Sequence, residues 1–251
     1  MGVASLRMSW VEAIIIFSGG VFAGFINSMA GGGSLLTVPL LSLAGVEGLL
    51  ANGTNRVAVL IQNASSGYGF ARHGFGSKKE TLQVLLPTLV GGLVGASIVS
   101  QIDDALFERI FGVLMIPLLA LSIWKPKSDA ETEPWPLWMT ALVFFGVGVY
   151  AGAIQAGVGI ILLLVLSRAG YDLVKANAIK TFVILGVSMV AVVIFVAQGQ
   201  VRWAPAIVLA AGMAAGGYVG SQLAVSGGEK IIKPVLVVSV LVLAGRMIGL
   251  Y

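Results

Sequence analysis

Apolar residues occur along this chain in long runs that are separated by short polar segments. A helix that spans a bilayer needs about 20 mostly apolar residues, and eight runs approach that length. Two further runs, 34–44 and 160–169, are too short to cross, and each follows glycines where a helix is expected to break. The pattern therefore predicts ten helical segments. The eight long runs are 11–30, 53–71, 82–100, 105–124, 137–156, 178–197, 204–224 and 231–250.

The order of long and short runs is repeated in the second half of the chain. Sliding the chain on itself by about 125 to 128 residues aligns matching motifs in the same order throughout. We therefore predict a first membrane repeat at 1–124, a polar cytoplasmic linker at 125–136 and a second membrane repeat at 137–251. The aligned motifs include Ala23-Gly24 with Ala151-Gly152, Gly31-x-Gly33 with Gly157-x-Gly159, and Ala51-Asn52 with Ala176-Asn177.

Basic residues are distributed unequally between the two sets of loops, which predicts how the chain is oriented. Nine fall on one face and four on the other, and the richer face is expected to be cytoplasmic. Each half makes an odd net number of crossings, so the two repeats should be inverted and both termini should lie outside. The nine are Arg72, Lys78, Lys79, Lys125, Lys127, Arg168, Lys175, Lys230 and Lys233, and the four are Arg7, Arg109, Arg202 and Arg246.

The composition agrees with a membrane protein and narrows its chemistry. Hydrophobic residues make up 58% and charged residues 10%, against about 45 to 50% and about 25% in soluble domains. The net charge of +4 is too dispersed for a nucleic-acid footprint, so no nucleic-acid partner is expected. Without Cys and with one His, there is no basis for a disulfide, a thiolate metal site or a cofactor. An enzyme is not expected, because only serines and the peripheral His73 are available as nucleophile and base.

Inverted repeats with broken helices are a transporter architecture, in which the breaks lie near the midplane and bind the substrate. This places function at two glycine clusters, Gly31-Gly32-Gly33 and Gly157-Val158-Gly159. Ser34 follows the first cluster and is predicted to be the N-cap of a short helix, whose unpaired N–H groups favour an anion. Asn27, Ser28 and Gln155 precede the breaks, where they either contact the substrate or satisfy the freed backbone.

The third helix carries a polar stripe that should face protein or water rather than lipid. Asn52, Asn55, Gln62 and Ser66 fall roughly on one face at helical spacing, with Thr54 and Arg56 beside them. The matching helix of the second half carries Asn177 and Lys180. We expect Arg56 and Lys180 to attract anions at the outer and inner ends of a permeation route, the alternative being that both side chains snorkel to the interface.

Carboxylates are absent from the expected midplane, since Glu12, Asp103, Asp104, Glu108 and Glu229 all lie near segment ends. A carboxylate proton relay or cation site is therefore not favoured. An anion of a weak acid would carry its own proton, which allows proton coupling without a titrating side chain.

Several motifs, spread over nearly the whole chain, belong together. They are the run Ala23 to Leu36 (AGFINSxAGGGSLL), Pro39 and Ala51-Asn52-Gly53-Thr54-Asn55 in the first half, and Ala151-Gly152, Gly157-x-Gly159 and Lys175-Ala176-Asn177-Ala178-x-Lys180 in the second. With these motifs the chain resembles the sulfite exporter TauE/SafE family of membrane permeases. The resemblance implies a multi-pass transporter of the bacterial cytoplasmic membrane for sulfur-containing or organic anions, such as sulfite or sulfonates. It leaves substrate and direction open, and we expect export.

The sequence as a whole predicts an all-α polytopic membrane protein, a 5+5 inverted repeat with broken or re-entrant helices 1–2 and 6–7. We expect a small oxyanion as substrate, held at the midplane and moved by alternating access. A neutral-solute or cation permease and a non-transporting scaffold are the alternatives, and a homodimer is left open. The predicted substrate-binding residues are Asn27, Ser28, Gly31, Gly32, Gly33, Ser34, Asn52, Thr54, Asn55, Arg56, Gln62, Gln155, Gly157, Gly159, Asn177 and Lys180.

Overall fold

A computed structural model describes residues 8–75, 78–123 and 135–225 of the chain. These ranges contain nine α-helices and no strand. Most of the predicted linker at 125–136 and all of the predicted last run at 231–250 lie outside the described residues. The helices are α1 (Trp10–Ala30), α2 (Ser34–Leu43), α3 (Gly48–Arg72), α4 (Lys78–Val99), α5 (Asp104–Ile123), α6 (Leu137–Ala153), α7 (Val158–Arg168), α8 (Leu173–Ala197) and α9 (Trp203–Val225).

Helix ends follow local capping chemistry more closely than the edges of the apolar runs. Ser9 and Glu12 form a capping box at the start of α1. The N–H of Ser9 donates to Glu12 Oε2 at 2.9 Å, and the N–H of Glu12 donates to Ser9 Oγ at 3.1 Å. Asp172 accepts hydrogen bonds from the N–H groups of Val174 and Lys175, so α8 begins at Leu173, five residues before the predicted apolar run. The start of α3 at Gly48 is likewise earlier than predicted, because polar residues such as Asn52 lie inside the helix.

The helices are those of a membrane protein. Four of them are long and apolar enough to span a bilayer: Trp10–Met29, Thr81–Val99, Leu173–Ala197 and Trp203–Val225. Large apolar side chains point away from the protein, among them Val113 at 70% exposure and Trp138 at 70%. In water such surfaces would be costly, whereas in a bilayer they face lipid tails.

The first glycine cluster turns the chain back on itself. Gly33 packs against Ala23 and Asn27, and Leu40 packs against Gly19, so α2 runs antiparallel to α1. The two helices form a hairpin whose tip is the break after α1. Here the tip is called the α1–α2 tip, and the corresponding turn between α6 and α7 at 154–157 is called the α6–α7 tip.

Two helix pairs with small residues at their interface flank these hairpins. Gly212 packs against Phe17 and Gly216 against Val21, so α1 and α9 run parallel in close contact. Thr88 packs against Gly148 and Gly92 against Gly152, which makes α4 and α6 parallel as well. Under the predicted repeat, α1 corresponds to α6 and α9 to α4, so the two pairs are equivalent contacts. Glycine allows both backbones to approach closely.

The centre of the molecule is formed by α3 and α8, which correspond to each other under the repeat. Gly53 packs against Phe195, and Gly67 packs against Phe182. Residues later in α3 therefore meet residues earlier in α8, and the two helices run antiparallel.

Three loops meet at one end of this bundle. The N–H of Arg202 donates to Thr54 Oγ1 at 2.9 Å, and the Gln200 side chain donates to Ser100 O at 3.0 Å. The N–H of Leu49 donates to Asp104 Oδ1 at 2.8 Å. These contacts join the α2–α3, α4–α5 and α8–α9 connections, all of which the basic-residue distribution assigns to one face.

Candidate functional site

The two hairpin tips touch each other. Gly31 lies so close to Gly159 that a Cβ atom on either residue would overlap the backbone of the other. Both residues are buried. The two glycine clusters, far apart in sequence, are thus brought into direct backbone contact at the centre of the structure.

The backbone at the tips adopts conformations that restrict which residues fit. Gly31 ends α1 with φ of 77°, and Gly157 precedes α7 with φ of 69°. Gln155 is the non-glycine residue with positive φ, 67°, in the described ranges. Such a conformation costs about 1 to 3 kcal/mol for a residue with a side chain, and it often marks functional positions.

Two predicted details of the tips are wrong. Ser34 is not the N-cap of α2, because Gly33 occupies that position and no side chain caps the helix. The Ser34 hydroxyl instead accepts from Gly157 N–H at 3.1 Å and donates to Gln155 O at 3.3 Å, so it is used to join the two tips. The second break also comes earlier than predicted, since α6 ends at Ala153 and Gly159 lies inside the first turn of α7.

The carbonyl groups at the end of α6 are bonded by side chains from α3. Arg56 donates from Nη1 to Ala151 O and from Nη2 to Gly152 O, the latter at 2.5 Å. Asn52 donates to Ala153 O at 2.9 Å. The last carbonyls of a helix have no partner within it, so Arg56 and Asn52 cap the broken helix.

An equivalent arrangement exists at the end of α1, with side chains from α8. Lys180 donates from Nζ to Asn27 O at 2.8 Å, and Asn177 donates to Met29 O at 3.2 Å. Each broken helix is therefore capped by an asparagine and a cation from the other half of the chain. We call this arrangement crossed capping.

Crossed capping changes the interpretation of the two cations. Arg56 and Lys180 are fully buried, so neither snorkels, and each lies against a helix end rather than at a mouth of the protein. The side chains of Asn27 and Gln155, predicted either to satisfy the freed backbone or to contact substrate, bond the side chains of Gln62 and Arg56. The freed carbonyls are satisfied from α3 and α8.

The polar stripe of α3 reaches α1 as well as α6. Asn27 donates to Gln62 Oε1 at 2.7 Å, and Gln62 donates from Nε2 to the hydroxyls of Ser28 and Ser66 at 3.0 and 2.8 Å. Ser28 and Ser66 also bond each other at 2.6 Å. A buried network of this kind fixes the orientation of every member.

Some buried polar atoms in this region have no hydrogen-bond partner among the described residues. Asn55 is fully buried and neither amide atom is bonded. The same holds for Arg56 Nε and for the Oδ1 atoms of Asn27, Asn52 and Asn177. Unpaired buried polar groups are costly and call for an explanation such as a ligand or a water molecule.

The structure separates one predicted site residue from the others and adds two. Thr54 holds the α8–α9 loop through Arg202 and does not bond either tip. Tyr150 donates its hydroxyl to Ala156 O at 2.5 Å and steadies the α6–α7 tip. The Phe195 ring lies 5.5 Å from Arg56 Cζ and contributes a cation–π contact. An isolated aromatic in an apolar run carries no sequence signal for such a role, so neither residue was predicted.

The charges of the site are one-sided. Within the described ranges, the buried charged side chains are Arg56 and Lys180, and no Asp, Glu or His is buried. A helix end carries about half a negative charge, so the full charge of Arg56 at the end of α6 leaves a positive excess there. An apolar cavity of about 680 Å³ lies between α3, α4 and α8, and none of the predicted site residues lines it.

Comparison with known proteins yields one family and several relatives. The family model described as "Sulfite exporter TauE/SafE" matches residues 16–247. The probable membrane transporter protein ORF9 of Sinorhizobium sp. is 31% identical over 93% of this chain and 91% of its own length. The probable membrane transporter protein of Haemophilus influenzae is 26% identical, over 93% of both chains. YfcA of Escherichia coli K12, a probable membrane transporter protein, is 28% identical over 93% of this chain and 88% of its own. No solved structure matches the chain.

Proposed function

The chain belongs to the sulfite exporter TauE/SafE family of membrane transporters, and from that premise we propose that it moves a small oxyanion across the bacterial cytoplasmic membrane. The substrate is sulfite or a related sulfonate, and the direction is export. It is a secondary transporter with no cofactor.

The observation that carries the proposal is Arg56. Its guanidinium is fully buried and bonds neutral groups, namely the carbonyls of Ala151 and Gly152 and the amide oxygen of Gln155 at 2.7 Å. Its charge is therefore only partly offset by the negative end of α6. In a low-dielectric interior the remaining positive potential favours an anion at the tips and disfavours a cation.

Alternating access is the mechanism that the arrangement supports best. The equivalent helices α3 and α8 run antiparallel, and the equivalent pairs α1 with α9 and α4 with α6 are packed alike. That geometry supports an inverted repeat with two re-entrant hairpins that meet near the midplane. The distribution of basic residues supports both termini outside. Rocking of one hairpin against the other would open the site at the tips alternately to the two sides of the membrane.

Substrate flux through reconstituted protein tests the proposal. Purified protein in liposomes is loaded with sulfite, and efflux is followed with chloride, sulfate and a sulfonate as competitors and with an imposed pH gradient. We expect saturable sulfite flux that protein-free liposomes lack and that chloride does not inhibit. Folded protein that transports a neutral solute but no anion would contradict the proposal, and so would folded protein that transports nothing.

A further inference from the structure

Asn55 is a buried amide that the fold does not use. Both its amide atoms are without a partner among the described residues, and the side chain is fully buried in α3. A buried amide without hydrogen bonds destabilises a protein, so an asparagine with only a structural role is not expected there.

Asn55 lies in one helical turn with two other unpaired groups. Asn52 is three residues before it and four before Arg56, a spacing that puts Asn52 next to both on the helix surface. Asn52 Oδ1 and Arg56 Nε are also buried and unpaired. The Asn52 NH₂ group donates to Ala153 O, and this bond orients the amide so that Asn52 Oδ1 is available as an acceptor.

The second half of the chain shows why Asn55 is available. Under the repeat, Asn55 corresponds to Lys180, which bonds the end of α1. In the first half the corresponding task at the end of α6 is carried out by Arg56, one residue later. Asn55 is therefore free of the capping role that its counterpart performs, and the two halves are not equivalent as binding sites.

We propose that Asn55, Asn52 Oδ1 and Arg56 Nε form the substrate subsite, and that it selects an oxyanion carrying one negative charge and one hydroxyl. Arg56 Nε–H and the Asn55 NH₂ group donate to anionic oxygens, and the single O–H of the substrate donates to Asn52 Oδ1 or to Asn55 Oδ1. A dianion has no donor and would leave both oxygens unpaired. The inference rests on the proposed function, narrows its substrate from sulfite or a sulfonate to sulfite, and names the ionic form that is transported.

No buried carboxylate or histidine among the described residues supplies a proton for this selection. The ionisable side chains around the subsite are Arg56 on α3 and Tyr150 on α6, and no described Asp, Glu or His is buried. The proton therefore travels on the substrate, and transport of the singly protonated form moves charge and proton together.

A pH series with sulfite tests the selected form. Sulfite flux at constant total concentration is measured across the second ionisation of the acid, with the leak through protein-free liposomes subtracted. We expect initial rates to follow the concentration of hydrogensulfite. Methanesulfonate, which has one charge but no hydroxyl, should compete about 10- to 100-fold more weakly. Rates that follow the dianion, or equal competition by methanesulfonate, would overturn the inference.

The variant Asn55→Leu tests the residue. Leucine has a similar volume to asparagine but neither donates nor accepts hydrogen bonds. We therefore expect an unchanged or higher melting temperature, because no buried amide is left unpaired, and a flux about 10- to 100-fold lower. The matched control is Ser188→Ala, which removes another fully buried, unpaired polar atom on α8 and should leave flux unchanged. Asn55→Thr, which keeps one hydroxyl, should show intermediate flux and serves if the leucine variant does not fold.

The proposed function and the proposed subsite would be contradicted by different results. Wild-type protein without any anion flux would contradict the proposed function. Wild-type flux that Asn55→Leu retains in full, in folded protein, would contradict the subsite alone and would indicate that Asn55 is satisfied by water.

Discussion

At the scale of single residues, Arg56 and Lys180 do similar work with different chemistry. The planar guanidinium of Arg56 bonds two successive carbonyls and an amide oxygen, and its Cζ lies 5.5 Å from the centroid of the Phe195 ring. The ammonium of Lys180 is a point charge that donates to Asn27 O. Because an ammonium cannot reproduce a planar fork, we expect arginine and lysine to be poorly interchangeable at position 56.

Neutralising either cation should weaken anion transport. Arg56→Gln and Lys180→Gln each remove a buried positive charge and a helix cap, and we expect flux to fall at least about tenfold and stability to fall by about 2 kcal/mol. Flux per molecule in the membrane and melting temperature measure the two effects. Arg72→Gln, the same change at an exposed position of α3, is the control and should have little effect. Wild-type transport by both single variants would rule out the electrostatic role.

The sequence predicts which residue types matter here but not their partners. The apolar surroundings of Arg56, Lys180, Asn52 and Asn177 mark them as functional candidates. Their bonds, however, join residues 95 to 153 positions apart, for example Arg56 with Ala151 and Lys180 with Asn27. Helical spacing carries no information about such contacts, so the crossed capping could not be predicted.

At the scale of elements, the molecule depends on the contact between two hairpin tips. Gly31 and Gly159 meet through their backbones, and Ser34 joins α2 to the α6–α7 tip. A side chain at either glycine would force the tips apart. The contact therefore requires glycine at both positions.

Adding one methyl group at the tips tests this requirement. Gly31→Ala combines a left-handed backbone with a clash against Gly159, so we expect loss of flux and a large fall in melting temperature. Gly45→Ala is a matched control, because its φ of 72° imposes similar strain with open space around it. It should lower stability by about 1 kcal/mol and keep transport. Equal effects of the two changes would show that strain, not contact, matters.

Element boundaries are predicted well where apolar runs end in loops and less well where polar residues enter helices. The breaks at both glycine clusters follow from the flexibility of glycine and the short runs behind them. The first turns of α3 and α8 are missed, because Asn52, Lys175 and Asn177 read as polar although they lie within helices.

At the scale of the whole molecule, the direction of each helix relates the loops to the two membrane faces. The α2–α3, α4–α5 and α8–α9 connections meet at one end, where α3 begins and α4 ends, so α3 leads away from that end and α4 leads back to it. This arrangement agrees with the separation of basic residues into two groups along the sequence. Lys78, Lys79, Lys125, Lys127, Lys230 and Lys233 from the richer group, and Arg7 and Arg246 from the other, are not among the described side chains.

Cysteine labelling tests the orientation, since the chain has no Cys of its own. Gln101→Cys lies in the α4–α5 connection and His73→Cys at the far end of α3, and both positions are exposed. A membrane-impermeant maleimide should label Gln101→Cys in intact spheroplasts and His73→Cys only after permeabilisation. The reverse pattern would invert the proposed topology, and labelling of both from outside would contradict a span between them.

The repeat is a whole-molecule prediction that comes directly from the sequence, because matching motifs recur in the same order at offsets of about 125 to 128 residues. Its functional asymmetry is harder to predict. Asn55 and Lys180 align, yet only the structure shows that Arg56, not Asn55, caps α6. A shift of one residue along a helix changes which group reaches a carbonyl, and sequence alignment does not resolve that.

Crossed capping also has a consequence for biosynthesis. The end of α1 receives its partners from residues that follow it by 148 and 153 positions, so during translation it enters the membrane long before they are made. Unpaired carbonyls in hydrocarbon are unfavourable, and the emerging first half has to shelter them with water, lipid headgroups or the insertion machinery. Synthesis of the second half supplies Asn177 and Lys180, which then replace these temporary partners. A helix made late in translation, α8, thus completes the capping of the first helix, α1.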